Sequence, residues 1–334
     1  MTRDVRGLVI LGAALLVLVP APLVLSSYWQ HIAVLTLLFA YLCAAWNLVG
    51  GYVGAFSFAH PLFFASGGYA AAYLAIHYTL SPWLGMLVGV AVAVPIGLAI
   101  DTLAARFRLP MLSYALATMA FSHMGLFIVR SIPALGGING LYIVPGTSGL
   151  WRFQFETKAP FYYLILAGTA GLALLVWWFE RSKLGLEARV VRDNERAAEA
   201  IGVNALGTRL RVTAASAALT AAAGTFYGQF ALYVDPGSFL SPQLFIQVIL
   251  FTAVGGMGTL WGPIVGALVL VPVGEILRGT VSTQYPGAHQ LIYGIVFVVV
   301  ILLMPQGIVG VFRRRAGRAG PRTGRPGVAP AEGA

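Results

Sequence analysis

The groups with which this chain could do chemistry are few: eleven carboxylates, five histidines, one cysteine and two lysines in 334 residues. A membrane enzyme would need paired carboxylates, a metal cluster, or a nucleophile beside its base. His31, His60, His77, His123 and His289 are scattered without the i,i+4 spacing that sets two imidazoles on one helix face. Cys43 stands alone in an apolar run; it can form no internal disulfide and reads as a small packing residue. Lys158 precedes Ala159 and Lys183 precedes Leu184, so neither completes a G-x-x-x-x-G-K-[ST] phosphate loop. The chain is expected to bind no metal or cofactor and to catalyse nothing by itself.

One stretch departs from this poverty. Glu180–Arg211 reads ERSKLGLEARVVRDNERAAEAIGVNALGTRLR and holds twelve Asp, Glu, Lys or Arg residues, in a chain only 10% charged. Asn194 or Asp193 can cap a helix starting near Glu195, since a side-chain oxygen there meets the free N–H groups of the first turn. Arg196–Ile201 then forms a short helix, and Gly202 with Asn204 ends it. Ala197, Ala198 and Ala200 leave a surface of small residues that permits close approach. Glu195 and Glu199, at i,i+4, share a face suited to basic groups on a soluble partner. The same charges also fit a solvated loop paired with itself.

The rest of the chain must hold that island in place. It is 59% hydrophobic, with mean hydropathy +0.84, more apolar surface than a soluble domain of this length could hide. About 20 apolar residues cross a bilayer as a helix, and the alternation of a membrane barrel is absent. The expected fold is all-α: a polytopic transmembrane bundle of about ten spans near 8–26, 32–50, 60–77, 83–104, 110–130, 160–179, 210–233, 242–256, 260–277 and 288–304. The first reads as an uncleaved span rather than a secretory signal, because no convincing small-x-small cleavage site follows Leu8–Val19. With both termini inside, the cytoplasmic segments hold seventeen of the 21 Lys and Arg residues, leaving Arg130, Arg152, Lys158 and Arg278 outside. The positive-inside rule therefore favours N-in, C-in. That retention also accounts for the formal charge of +10 without nucleic acid. Residues 1–312 read as the membrane domain, with an inner loop at 180–211 and an outer loop at 131–159. Residues 313–334 read as a disordered basic cytoplasmic tail whose Arg313, Arg314 and Arg315 anchor on anionic lipid headgroups.

Ion-driven transporters keep ionisable groups deep in the membrane, and candidates here are scarce. Asp101 lies near an inner helix end, within reach of water or Arg106. Glu275 sits three residues before Arg278, as in a local pair. His123, mid-span, suits a hydrogen-bonded packing role better than a proton relay. Two junctions without charge, GGYVGAFSFAHP and GGMGTLWGP, are either tight inner turns or broken helices lining a substrate path. They make Asn47, Gly51, Gly54, His60, Gly255, Gly256 and Gly258 candidate pathway residues. Gly136, Gly137, Asn139 and Gly140, in the outer loop, allow tight turns and the approach of another backbone.

Several motifs, in order, carry a family resemblance. NLVGGYVGAFSFAHPLFFASGGYAAAYL (Asn47–Leu74), GGINGL (Gly136–Leu141), RDNERAAEAIGVN (Arg192–Asn204), VGGMGTLWGPIVGA (Val254–Ala267) and MPQGIVG (Met304–Gly310) resemble the LivM-type permeases of branched-chain amino acid ABC importers. RAAEAIG resembles the EAA loop of bacterial ABC-importer permeases. It departs where Arg196 stands in place of the usual glutamate, with Glu195 one position earlier. The resemblance implies a second related permease, two cytoplasmic ATPases carrying ATP and Mg, and a periplasmic substrate-binding protein, in a bacterial inner membrane. It implies ATPase docking by Glu195, Arg196, Ala197, Ala198, Glu199 and Gly202, and contact with the binding protein by the Gly136–Gly140 turn. Relatives import leucine, isoleucine and valine, but also urea, amides and aromatic acids, which fold and motif do not separate. A stand-alone secondary transporter is the rival reading.

Overall fold

In a computed structural model, residues 16–281 are described except 145, 147 and 148, together with residues 12, 294, 307 and 308. A short helix α1 (Ala21–Val24) precedes α2 (Ser27–Asn47), whose end widens into a π-helical turn, Leu48–Val53, closed by Gly54 in the left-handed region. There follow α3 (His60–Tyr78), α4 (Pro82–Arg106), α5 (Met111–Ser131) and α6 (Ala159–Phe179). The island forms α7 (Lys183–Asp193) and α8 (Glu195–Ala200). The chain continues through α9 (Ala205–Ala231), α10 (Pro236–Phe239), α11 (Pro242–Gly255) and α12 (Trp261–Val281). Of the expected spans, 32–50 to 260–277 coincide with helices. The first, 8–26, lies only partly within the described residues, and 288–304 and the tail 313–334 lie almost wholly outside them.

Among the described residues, six stretches are long and apolar enough to cross a membrane: Ser27–Val53, Pro82–Arg106, Met111–Ser131, Ala159–Phe179, Pro236–Gly255 and Trp261–Gly279. α3 and α9 are long enough, at 19 and 27 residues, but rich in glycine, alanine, hydroxyls and tyrosine. Their place explains the composition. They form an inner layer, packed on each other and on α4, so their surfaces meet protein. Small residues let the backbones close in: a Cβ on Gly67 would lie 1.8 Å from the Ala221 carbonyl oxygen, and one on Gly224 would lie 1.8 Å from that of Phe64. The apolar faces of α4 and α5 are instead mostly exposed.

Side-chain contacts sort the helix ends into two groups. At one end, Tyr52 Oη donates to Glu180 Oε1 at 2.7 Å, bringing the ends of α2 and α6 together. Arg209 there meets Asp101, so α9 begins where α4 finishes. At the other end, Lys158 Nζ donates to the Ser27 carbonyl at 3.2 Å. A two-stranded antiparallel ladder, β1 (Leu141–Tyr142) with β2 (Tyr233–Val234), ties the long loop to the exit of α9. With an isolated Gly149–Gln154 bridge, it is the extended pairing among the described residues of a mainly helical fold.

Candidate functional site: the island and the glycine junctions

The island folds as its caps dictate. Ser182 Oγ accepts from the Gly185 amide at 3.1 Å to start α7. Asn194 Oδ1 accepts from the Ala197 amide at 3.1 Å to start α8. Gly202, with φ +87°, closes α8; its amide donates to the Glu199 carbonyl, and that of Val203 to the Ala198 carbonyl, both at 3.0 Å. Asn204 does not belong to that ending, as the sequence suggested. Its Oδ1 accepts from the Gly207 amide at 2.7 Å and starts α9.

The two readings of the island divide between its helices. α7 is self-paired: Lys183 lies 3.7 Å from Glu187, and Arg189 lies 3.3 Å from Glu180. On α8, by contrast, Glu195, Arg196, Ala197, Glu199 and Ala200 are exposed. Among the described residues no ion pair engages Glu195, Arg196 or Glu199. Ala198 is fully buried, so it packs inward under α8 and adds nothing to an outward surface of small residues.

The glycine junctions meet beside the island. Asn47 joins them: its Oδ1 accepts from the Gly258 amide at 2.8 Å, and its Nδ2 donates to the Thr259 carbonyl at 3.1 Å. A Cβ on Gly51 would fall 1.9 Å from Asn47 Oδ1 and 2.5 Å from the Gly258 nitrogen, so only glycine fits there. Gly255 and Gly256 are buried, and Gly307, from the MPQGIVG motif, packs on Gly256. The first junction is neither a tight turn nor bare. After the π turn, residues 54–59 run non-helically through mostly buried surroundings. Trp46 Nε1 donates to the Ser57 carbonyl at 2.9 Å, the Phe58 amide donates to Thr118 Oγ1 at 3.0 Å, and Ser122 Oγ donates to the Phe58 carbonyl at 2.6 Å. Side chains thus satisfy backbone groups that the break frees, as buried irregular chain requires.

His60 lies beyond this meeting point, buried among Trp46, Phe63 and Phe245, with Nε2 2.9 Å from Ser216 Oγ. His123 Nδ1 sits 3.0 Å from the Met119 carbonyl, the helix-internal packing bond expected. Glu275 and Arg278 pair at 3.4 Å, also as expected. Asp101 is different. It faces neither water nor Arg106; it is fully buried and takes Arg209 Nη2 at 3.2 Å, Tyr114 Oη at 2.8 Å and Thr213 Oγ1. Arg209 also stacks over the Tyr114 ring at 4.1 Å. Three helices, α4, α5 and α9, are joined through that one carboxylate. Sequence spacing gave no hint of it, because its members lie up to 112 positions apart.

In the long loop between α5 and α6, Gly136, Gly137 and Gly140 all take positive φ. A Cβ on Gly140 would lie 2.5 Å from the Val234 carbonyl oxygen, and Tyr233 Oη donates to the Asn139 carbonyl at 2.8 Å. The motif's glycines therefore seat the loop on its own ladder. The exposed side chains nearby include Ile138, Asn139, Tyr142, Val144, Leu150 and Trp151.

Residues 28–301 match the family model described as the permease component of branched-chain amino acid transport systems. The high-affinity branched-chain amino acid transport system permease protein LivM of Escherichia coli K12 is 26% identical over 325 residues, covering 90% of this chain and 74% of the relative. LivM of Salmonella typhimurium is 25% identical, covering 92% and 76%. LivH of the same organism is 25% identical, covering 81% and 91%. No solved structure matches the chain significantly.

Proposed function

The chain belongs to the family of branched-chain amino acid transport permeases, and from that premise we propose that it is one membrane subunit of an ATP-driven importer, contributing half of the translocation pathway. It lies in a bacterial inner membrane with about ten spans and both termini inside, so the island and the glycine junctions face the cytoplasm. A second related permease completes the pathway. Two separate cytoplasmic ATPases bind ATP and Mg; this chain binds neither and catalyses no reaction. A periplasmic binding protein delivers the solute. The relatives are named for branched-chain amino acids, and leucine, isoleucine or valine, or a related small polar solute, is the proposed cargo.

The observation that carries this reading is α8. It is a capped helix bearing exposed carboxylates at Glu195 and Glu199 that no ion pair engages among the described residues, and it follows directly on α7, whose Arg192 touches both glycine junctions. Nucleotide shifts a conformational equilibrium only by binding one state better than the other. An ATPase dimer seated on α8 would apply that difference directly to α7 and, two residues beyond Gly202, to the start of α9. The pathway then opens alternately to either side.

The test is reconstitution of the chain in vesicles with its partner permease, both ATPases and the binding protein. Leucine uptake that requires ATP and hydrolysis-competent ATPases is the expected result. Uphill uptake driven by an ion gradient with the ATPases omitted overturns the reading. Competition by urea, short amides or aromatic acids instead of leucine reassigns the cargo.

A further inference from the structure

Arg192 occupies the last turn of α7, and nothing in the sequence sets it apart from the other basic residues of the island. Its position does. Nη1 donates to the Gly51 carbonyl, 141 positions away, at 3.0 Å. Nε and Nη2 both lie 3.3 Å from Asp193 Oδ1. The stem and head fill space that two missing side chains leave. A Cβ on Gly54 would lie 2.6 Å from Arg192 Cγ, and one on Gly258 would lie 2.6 Å from Nη1. Both glycines also hold positive φ, +80° and +71°. One side chain thus touches the π turn after α2, through its head at Gly51 and its stem at Gly54, while the head also meets the α11–α12 turn at Gly258 and the island's own Asp193. The next residue, Asn194, is the cap of α8.

A planar fork is suited to this. It offers donors on two edges at fixed angles, where a lysine offers one point charge. The two junctions are already linked by Asn47, so a pull at Arg192 acts on both. We propose that Arg192 is the positioning residue through which displacement of α7 and α8 reaches the two glycine junctions together. The inference rests on reading α8 as the ATPase-docking helix.

The test uses the complete importer in vesicles, measuring ATP hydrolysed and solute taken up, for wild type, Arg192→Ala and Arg192→Lys. The side chain is 38% exposed, so its removal leaves the fold able to form. The expected result for Arg192→Ala is ATP hydrolysis near the wild-type rate with uptake reduced, raising the ATP-to-solute ratio about 3- to 30-fold, the range over which coupling residues act. Arg192→Lys, with its stem retained, raises the ratio less. A purely structural role lowers both activities together or neither. An unchanged ratio in Arg192→Ala overturns the proposal; should that variant fail to assemble, an unchanged ratio in Arg192→Lys overturns it. Absence of ATP-dependent uptake in the wild type is a separate outcome, and it removes the importer reading itself.

Discussion

Removing Arg209 but keeping Asp101 is the sharpest test of the packing at the island end of the bundle. The two charges lie 3.2 Å apart, with side chains 17% and 1% exposed. At that distance unit charges attract by about 5 kcal/mol at an effective dielectric of 20, and the desolvation of both ions offsets much of it. The pair therefore adds little net stability, yet losing one member strands the other, at about 3–5 kcal/mol. Arg209→Met strands the carboxylate. Asp101→Asn strands the guanidinium, while its amide oxygen still accepts from Tyr114 and its amide nitrogen can donate to Thr213 Oγ1. The double variant strands neither and is expected to cost about 1–2 kcal/mol, chiefly for imperfect hydrogen bonds. The coupling energy, the two single losses less the double, is then about 4 kcal/mol or more. Cys43, the only thiol and fully buried, supplies the assay, since a thiol-reactive dye labels it only on unfolding in detergent. Each single change should lower the midpoint by about 6–10 °C, taking the lower part of the domain scaling for a chain of this size. Additive losses in the double variant, or single losses under about 1 kcal/mol, refute the view that one buried carboxylate joins three helices.

Reversing both α8 carboxylates, Glu195→Lys with Glu199→Lys, should leave stability within about 0.5 kcal/mol because both are exposed and no ion pair engages them among the described residues; ATP hydrolysis should lose its link to uptake in the reconstituted importer. Gly202→Ala meets open space but a left-handed backbone, so unfolding should show a loss of about 1 kcal/mol with no change in packing elsewhere. Gly67→Ala drives a Cβ into the Ala221 carbonyl and should destabilise by about 3 kcal/mol or more, measured by the same labelling, since two helix backbones must part. Asn47→Ala leaves the Gly258 amide unpaired and should cost about 1–3 kcal/mol, with faster hydrogen exchange at Gly258 as its signature.

Much of this protein was legible locally. Helix spans follow from apolar length, and the start and stop of α8 follow from Asn194 and Gly202, because capping involves groups within five residues of each other. The Glu275–Arg278 pair and the His123 bond are short-range for the same reason. Other readings went astray where the deciding partner was distant in sequence. Arg106 is the near neighbour of Asp101 along the chain, but Arg209 is its partner in space. Asn204 looked like the end of α8, but it starts α9. Ala198 looked like part of a docking face, but it is buried.

Sequence by itself determined that this chain needs a bilayer, that it lacks a phosphate loop, and that between its apolar stretches it carries one dense charged island with helix caps. Those properties depend on composition and on spacing within a turn or two. The tertiary structure alone decided that the two glycine junctions meet through Asn47, that Arg192 reaches both, and that α3 and α9 are inner helices despite their modest hydropathy. Each of those facts depends on which backbones come within contact of each other, and a glycine's missing Cβ says that something will approach without saying what.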